Sequence, residues 1–245
     1  MLWLEPAHHP HLPDDALHIW RATLDGQPVA VAQCAALLSS DEQARADRFV
    51  FAPDRDRYTL ARGLLRHLLA QYVGGAPAAL RFAYTPHGKP FLVGLPPQQQ
   101  IQFNVAHSGD IVLIAVCKAR RVGVDVERAR ANLDYRALAP SVFAQSELAT
   151  LAALADEAGR AAFFEIWACK EAFVKAIGEG LSYPLASFSV SLAATPTLHL
   201  PAAQPADWAL HALDVGAGYA AAAVSEGPLR LCCFAASVPG SRFSS

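Results

Sequence analysis

The sequence lacks an apolar run long enough to span a membrane. Hydrophobic residues make up 53% of its 245 residues, but alanine supplies much of that share, and no uninterrupted stretch reaches the roughly 18 residues that a span requires. The first eleven residues contain Glu5, several histidines and two prolines instead of a basic flank and an apolar core, so they do not predict a secretory signal. We therefore expect a soluble, cytoplasmic protein with no membrane partner.

Paired cysteines and an excess of either charge are also absent. The five cysteines include no C-x-x-C pair, and their odd number argues against a disulfide framework. The 20 basic and 22 acidic residues leave a net charge of -2, which gives no electrostatic footprint for duplex nucleic acid. The histidines His8, His9 and His11 favour a frayed terminus over a transition-metal site. These features predict a protein without disulfides or nucleic-acid partners.

Hydrophobic periodicity and turn signals predict a mixed α+β chain. Helices are expected from Asp41 onward and over 54–73, 146–155 and 161–177. Strands are expected over 18–24, 101–106, 111–117, 122–127, 187–191, 208–213, 219–224 and 229–234. A long helix followed by strands occurs twice, which suggests two similar α/β halves, although we find no convincing residue-level repeat.

The sharpest local signal is Gly123-Val124-Asp125-Val126-Glu127. In a strand, the period of two sends Asp125 and Glu127 to one face and the valines to the other. Their Cα atoms would then lie about 7 Å apart, so both carboxylates can converge on one hard divalent cation. Two charges on a solvated strand face would give the same pattern.

The second signal, Trp167 to Lys175, lies on the most strongly predicted helix. Glu171 and Lys175 are four residues apart and therefore neighbours on its surface. In isolation they would be an ordinary surface ion pair. Beside the Asp125 strand, however, Glu171 would complete a three-carboxylate magnesium site, while Lys170 and Lys175 would hold phosphate oxygens.

Weaker signals come from a strand end and a loop. The segment Phe103 to Gly109 places His107, Ser108 and a glycine in a turn whose donors suit a phosphate, although a histidine there is more often structural. The Gly88-Lys89-Pro90 segment is ordinary loop chemistry. Arginines, among them Arg45, make the first helices basic, which fits either a bound phosphate or a solvated face.

Taken together, the motifs resemble the group II, surfactin-synthetase-activating, 4′-phosphopantetheinyl transferases. The resemblance covers residues 18 to 225 and rests on G-V-D-V-E at 123–127, W-x-x-K-E-A-F-x-K at 167–175, G-K-P at 88–90 and F-N-x-x-H-S at 103–108. It implies a monomer with two pseudo-twofold-related halves, here 1–118 and 119–245, and an active site in the cleft between them. It also implies coenzyme A as substrate and Mg²⁺, or Mn²⁺ in its place, as cofactor.

The resemblance also implies roles for individual residues. Asp125, Glu127 and Glu171 would be the metal ligands. The other implied contacts are Lys170 and Lys175 with the pyrophosphate, Lys89, His107 and Ser108 with coenzyme A phosphates or the nucleotide, and Arg45 with the 3′-phosphate. Two departures from the family pattern, Ala106 before the histidine and Glu42 at a position that is sometimes basic, weaken the 3′-phosphate assignments.

The implied reaction moves the phosphopantetheine arm of coenzyme A to a serine of an apo acyl, peptidyl or aryl carrier protein and releases 3′,5′-ADP. Glu171, or a water ordered by Glu127, would take the serine proton, and Lys175 is the third expected catalytic residue. Because carrier proteins are commonly acidic, we expect a locally basic or apolar docking surface. The carrier itself, from fatty-acid, polyketide or non-ribosomal peptide synthesis, is not indicated.

Two other classes remain open from the sequence alone. The same carboxylates would serve another magnesium-dependent phosphotransferase or phosphohydrolase. Alternatively, the chain is a non-enzymatic binding module in which the carboxylates are surface charges.

Overall fold

The computed structural model describes residues 1–6, 8–24, 26–193, 195–201 and 207–240. Its first part contains β1 (Ala16–Thr23), α1 (Pro28–Ala35), α2 (Ser40–Ala46), α3 (Ala52–Val73), β2 (Phe82–Tyr84), β3 (Pro90–Leu92), β4 (Ile101–Ser108) and β5 (Ile111–Lys118). Its second part contains β6 (Val122–Arg128), α4 (Tyr135–Val142), α5 (Gln145–Ala152), α6 (Asp156–Ile177), β7 (Ser189–Ser191), β8 (Thr197–His199), β9 (Trp208–Ala212), β10 (Tyr219–Glu226) and β11 (Arg230–Ala235).

The two parts share one topology. Each begins with a strand, continues through two short helices and one 22-residue helix, and then forms a small hairpin, β2-β3 or β7-β8. Two longer strands follow the hairpin in each part, β4 and β5 or β9 and β10, and they pair antiparallel with each other. The second of these strands also pairs antiparallel with the first strand of its part, β1 or β6. This architecture confirms the predicted α+β class.

The repeat extends to a buried carboxylate near the start of the short helix before each long one. Glu42 is the third residue of α2, and its Oε2 accepts a hydrogen bond of 3.0 Å from the backbone N–H of Ser39. Glu147 is the third residue of α5 and accepts one of 2.7 Å from the N–H of Ala144. Both glutamates are at least 98% buried, Glu42 at 2% exposure and Glu147 at 1%.

Each carboxylate pairs with a cation at the same position of the following helix. Arg66 in α3 and Lys170 in α6 both stand 14 residues after the first residue of their helix. The Nε of Arg66 lies 2.5 Å from Glu42, and the Nζ of Lys170 lies 2.9 Å from Glu147. The repeat that the sequence did not reveal is therefore carried by a buried ion pair with different residue types in the two halves.

The last strand departs from the predicted division of the chain. β11 pairs in parallel with β1, from Ala16 opposite Arg230 to Arg21 opposite Ala235, so it lies at the edge of the first sheet. Within the predicted half 119–245, β11 therefore belongs to the sheet of β1 and not to that of β6, and residues 241–245 lie outside the described part. The physical reason is that the outer edge of β1 offers unpaired backbone groups that a returning strand can satisfy.

The two halves meet where β4 runs beside β6. Among the described residues, the order β6-β10-β9 gives one edge of β6 no ladder partner. Side chains of β4 satisfy part of that edge, because Asn104 Oδ1 accepts from the N–H of Val124 at 2.9 Å and Ser108 Oγ accepts from the N–H of Arg128 at 3.0 Å. These bonds fix the register between β4 and the carboxylate-bearing strand.

Both long helices bury an apolar face against the sheets. In α6, Phe163, Ile166 and Phe173 are buried in the hydrophobic core of the second half, the second core, whereas Asp156 and Glu157 at the start of the helix are exposed. None of the helices in the described ranges combines the length and apolar composition that crossing a bilayer requires.

A buried histidine makes the first half sensitive to acid. His18 on β1 is 2% exposed, and its Nδ1 lies 2.8 Å from the hydroxyl of Tyr72. Burial, aided by His9, Arg230 and His11, lowers the pKa of His18 from 6.5 to about 4. Between these values the unfolded chain binds more protons than the folded one, so stability falls as the pH drops from about 6.5 to about 4.

We expect this single group to account for a loss on the order of 3 kcal/mol across that window. In His18→Gln the loss should be absent, because glutamine keeps a hydrogen-bonding group but does not titrate. Urea unfolding at several pH values measures the effect, with His8→Gln, at an exposed position, as the matched control. Parallel curves of stability against pH for wild type and His18→Gln would contradict the prediction.

Candidate active site

A close approach of β6 to α6 brings the predicted acidic residues together. A Cβ atom added at Gly123 would lie 2.0 Å from the carbonyl oxygen of Ala172 and 2.4 Å from the nitrogen of Ala176. Only glycine therefore allows this contact between strand and helix. The first residue of the G-V-D-V-E motif is a packing requirement, a role that the sequence analysis did not assign.

Asp125 projects from β6 into the cleft beside Lys175. Asp125 is 4% exposed, and its Oδ1 lies 2.5 Å from Lys175 Nζ. Its Oδ2 is buried and has no hydrogen-bond partner among the described residues. Burial raises the pKa of Asp125 to about 7; Lys175 opposes the shift, and the charges of Glu127 and Glu171 add to it.

Glu171 and Glu127 face the same region. Glu171 Oε1 is buried and also has no partner within the described ranges. Burial raises the pKa of the Glu171 carboxyl, Lys175 lowers it, and Glu127 raises it further. Glu127 Oε2 accepts a hydrogen bond of 3.2 Å from Ser108 Oγ, which places Ser108 at the same acidic cluster.

The donor chemistry of this cluster fits a divalent cation. Three carboxylates, when ionised, face one ammonium group, which leaves two negative charges and two buried oxygens without partners. Oxygen ligands of this kind suit Mg²⁺. However, no three His, Cys, Asp or Glu side chains of the described residues form a ready-made metal cage, so completing a ligand set requires side-chain movement, with Lys175 leaving Asp125.

Two adjoining cavities open along the cleft. The larger, about 410 Å³, is lined by Asn104, Glu171, Lys175 and others, and the smaller, about 210 Å³, is lined by Arg45 and His107 among others. They adjoin each other at Gly88, Pro90 and Val105, which line both. Burial, together with the charges of Lys175 and Arg57, lowers the pKa of His107.

Lys170 does not lie in the cleft, in contrast to the predicted pyrophosphate contact. Its Nζ is buried in the second core, where it donates to the carbonyls of Leu185 at 2.8 Å and Phe188 at 2.6 Å and pairs with Glu147. Consecutive helix residues are rotated by about 100°, so Lys170 cannot share the direction of Glu171. We therefore do not assign Lys170 to the substrate site.

Lys89 is likewise committed to the protein backbone. Its Nζ donates to the carbonyls of Val122 at 2.9 Å, Lys175 at 2.7 Å and Ala176 at 3.1 Å. Burial lowers the pKa of Lys89 to about 8. All three donors of its ammonium group are used, so the predicted phosphate contact through this group is replaced by a structural role that fastens the 85–90 loop to β6 and the end of α6.

Comparisons with known proteins cover both halves. The model of the 4′-phosphopantetheinyl transferase superfamily matches residues 121–224, and a model of the N-terminal part of 4′-phosphopantetheinyl transferase matches residues 20–119. The 4′-phosphopantetheinyl transferase HetI of Nostoc sp. is 38% identical over 195 residues, which cover 80% of this chain and 81% of HetI. The 4′-phosphopantetheinyl transferase Sfp of Bacillus subtilis is 31% identical over 156 residues, covering 63% of this chain and 66% of Sfp.

Among solved structures, an ACPS-CoA complex from Chronobacterium ammoniagenes aligns at a TM-score of 0.35 and 20% identity, over 46% of this chain and 100% of that chain.

A family match on each repeated half, with an acidic cleft between the halves, defines a transferase of the phosphopantetheinyl class. The chain belongs to the 4′-phosphopantetheinyl transferase superfamily, and its similarity to HetI and Sfp places it in group II of that superfamily. The predicted family and enzyme class are confirmed.

Proposed function

We propose that this enzyme transfers the 4′-phosphopantetheine group of coenzyme A to a serine of an apo carrier protein, using the cleft between its halves. The observation that carries the assignment is the pair of buried, unpartnered oxygens, Asp125 Oδ2 and Glu171 Oε1, next to Lys175. Such oxygens are costly to bury unless a ligand completes them.

Asp125, Glu127 and Glu171 would hold Mg²⁺, or Mn²⁺ in its place. When bound, the ion neutralises charge on the pyrophosphate oxygens. Lys175 would exchange Asp125 for a pyrophosphate oxygen, since its Nζ is the cation that already lies at this point of the cleft. His107 lines the smaller cavity and Ser108 donates to Glu127, so both would lie near the phosphates.

In the proposed step the carrier serine oxygen forms a bond to the β-phosphorus of coenzyme A. The bond from that phosphorus to the bridging oxygen of the nucleotide breaks, and 3′,5′-ADP leaves. Glu171, or a water held by Glu127, takes the proton of the serine hydroxyl.

The test is to incubate the protein with coenzyme A, Mg²⁺ and purified apo carrier proteins of the fatty-acid, polyketide and non-ribosomal peptide types. We expect intact-mass spectrometry to show one added phosphopantetheine on at least one carrier, and equimolar 3′,5′-ADP. The addition should stop with EDTA and with a carrier whose acceptor serine is alanine. Cleavage of coenzyme A without carrier modification would instead support a phosphohydrolase.

The monomeric state and cytoplasmic location stay predictions.

A further inference from the structure

The smaller cavity of the cleft is cationic and aromatic. Arg45, Arg62 and His107 line it together with the rings of Tyr58 and Tyr84. None of the described residues that line it carries a carboxylate. This cavity therefore differs from the acidic region around Asp125 and suits an anion attached to a flat ring.

Arg62 is held rigidly at this cavity. Its Nε donates to the Glu42 carboxylate, its Nη2 donates to the hydroxyl of Tyr84 at 3.2 Å, and its guanidinium lies 4.0 Å from the ring centroid of Phe82. The Arg62 side chain is only 9% exposed. Because its orientation is fixed before a ligand arrives, little side-chain entropy is lost on binding.

The charge around Glu42 is not balanced. One carboxylate is shared by Arg62 and Arg66, so the buried group of three carries one net positive charge. Arg66 does not line the cavity, and its Nη1 donates to the carbonyls of Pro77 at 2.9 Å and Leu80 at 3.0 Å. The surplus positive charge therefore faces the cavity at Arg62, because Arg62 is the member of the group that lines it.

Coenzyme A has two different ends on either side of its diphosphate. One is an uncharged pantetheine chain with amides, and the other is a nucleoside that carries a phosphomonoester. With the diphosphate beside Lys175, the adjoining cationic and aromatic cavity matches the nucleoside end. The resemblance assigned the 3′-phosphate to Arg45, but Arg45 is exposed, and its guanidinium lies over the ring of Tyr58, 5.6 Å from the ring centroid.

We propose that Arg62, oriented by Glu42, is the main specificity-determining residue for the 3′-phosphate of coenzyme A. The proposal rests on the proposed function. The sequence analysis grouped Arg62 with the other arginines of the first helices, which fitted either a bound phosphate or a solvated face, and did not single it out. Its place at the cavity depends on the packing of α2 against α3, which positions Glu42 beside it. In this chain, Glu42 stands at a position that is sometimes basic, and the guanidinium that it holds supplies the positive charge instead.

The test compares coenzyme A with 3′-dephospho-coenzyme A as donors in the carrier assay. The measured quantity is the ratio of the two kcat/KM values. For Arg62→Gln we expect this ratio to fall roughly 10-fold to 100-fold, the loss typical of a charge-assisted hydrogen bond. A reduced fraction of folded enzyme lowers both values equally, so it cancels from the ratio.

Arg48→Gln is the matched control, since Arg48 is an exposed arginine of the same region that does not line the cavity. Its ratio should equal that of wild type. A ratio in Arg62→Gln that stays within about twofold of wild type overturns the role of Arg62. Wild-type enzyme that modifies no carrier with either donor would instead contradict the proposed function.

Discussion

Asp125→Asn is expected to lower the rate of carrier modification by at least about 100-fold while leaving the fold intact. Asparagine has nearly the same shape as aspartate but cannot supply an anionic oxygen to a cation. The folded protein should not suffer, because a carboxylate that is 4% exposed, with one oxygen unpartnered, already costs free energy to bury. Lys175, whose side chain is 31% exposed, stays solvated when it loses its partner.

Initial rates by intact-mass spectrometry, together with thermal melting, measure both parts of this prediction. Coenzyme A with Mg²⁺ should raise the melting temperature of wild type and should do so much less in Asp125→Asn, since only a ligand that binds the folded state stabilises it. Glu157→Gln, an exposed acid at the start of α6, is the matched control and should behave as wild type. Asp125→Asn with a rate within about tenfold of wild type would exclude Asp125 as a ligand.

Lys170→Met should lower the stability of the fold strongly and leave the binding of coenzyme A by the folded protein nearly unchanged. It would leave the Glu147 carboxylate buried without its cation and two carbonyl oxygens without their donor. Breaking a buried ion pair in this way costs roughly 3 to 5 kcal/mol. At about 2 to 4 °C per kcal/mol for a chain of this size, the melting temperature should fall by about 6 to 20 °C.

Thermal melting and the KM for coenzyme A separate this role from the one that the family motif implies. The KM of the folded fraction should be close to that of wild type. The double variant Glu147→Gln with Lys170→Met should recover part of the lost stability, because it no longer buries an unpaired charge. Lys118→Met, at a partly exposed surface pair with Asp14, controls for loss of a lysine. An unchanged melting temperature with a raised KM would restore the pyrophosphate assignment.

Elements with a strong local pattern were predictable from sequence. The long helices α3 and α6 and the strands β4, β5 and β6 were predicted within a few residues, because periodicity and flanking glycines mark them directly. The short helices α1 and α4 were missed. Each has eight residues, and α4 contains Pro140 in its interior, so their helical structure depends on packing more than on local preference.

The site was only partly predictable for a related reason. A period of two places Asp125 and Glu127 on one face of a strand, and this is a local property. That Lys89 and Lys170 point into protein carbonyls is not local, because it depends on which segment lies opposite each ammonium group. The lysines of the sequence motifs therefore could not be sorted into substrate contacts and structural anchors without the tertiary structure.

By itself, the sequence determined the two-part α+β chain, the motifs of the family and the acidic face of β6, since each follows from residue type and spacing along a single element. Only the tertiary structure decided that β11 returns to the first sheet, that Glu42 and Glu147 occupy equivalent buried positions, and that Arg62 lines the cationic cavity. These features arise where segments far apart in the chain satisfy one another's buried charges and backbone groups. Residue spacing along one element does not predict which distant segment supplies the partner.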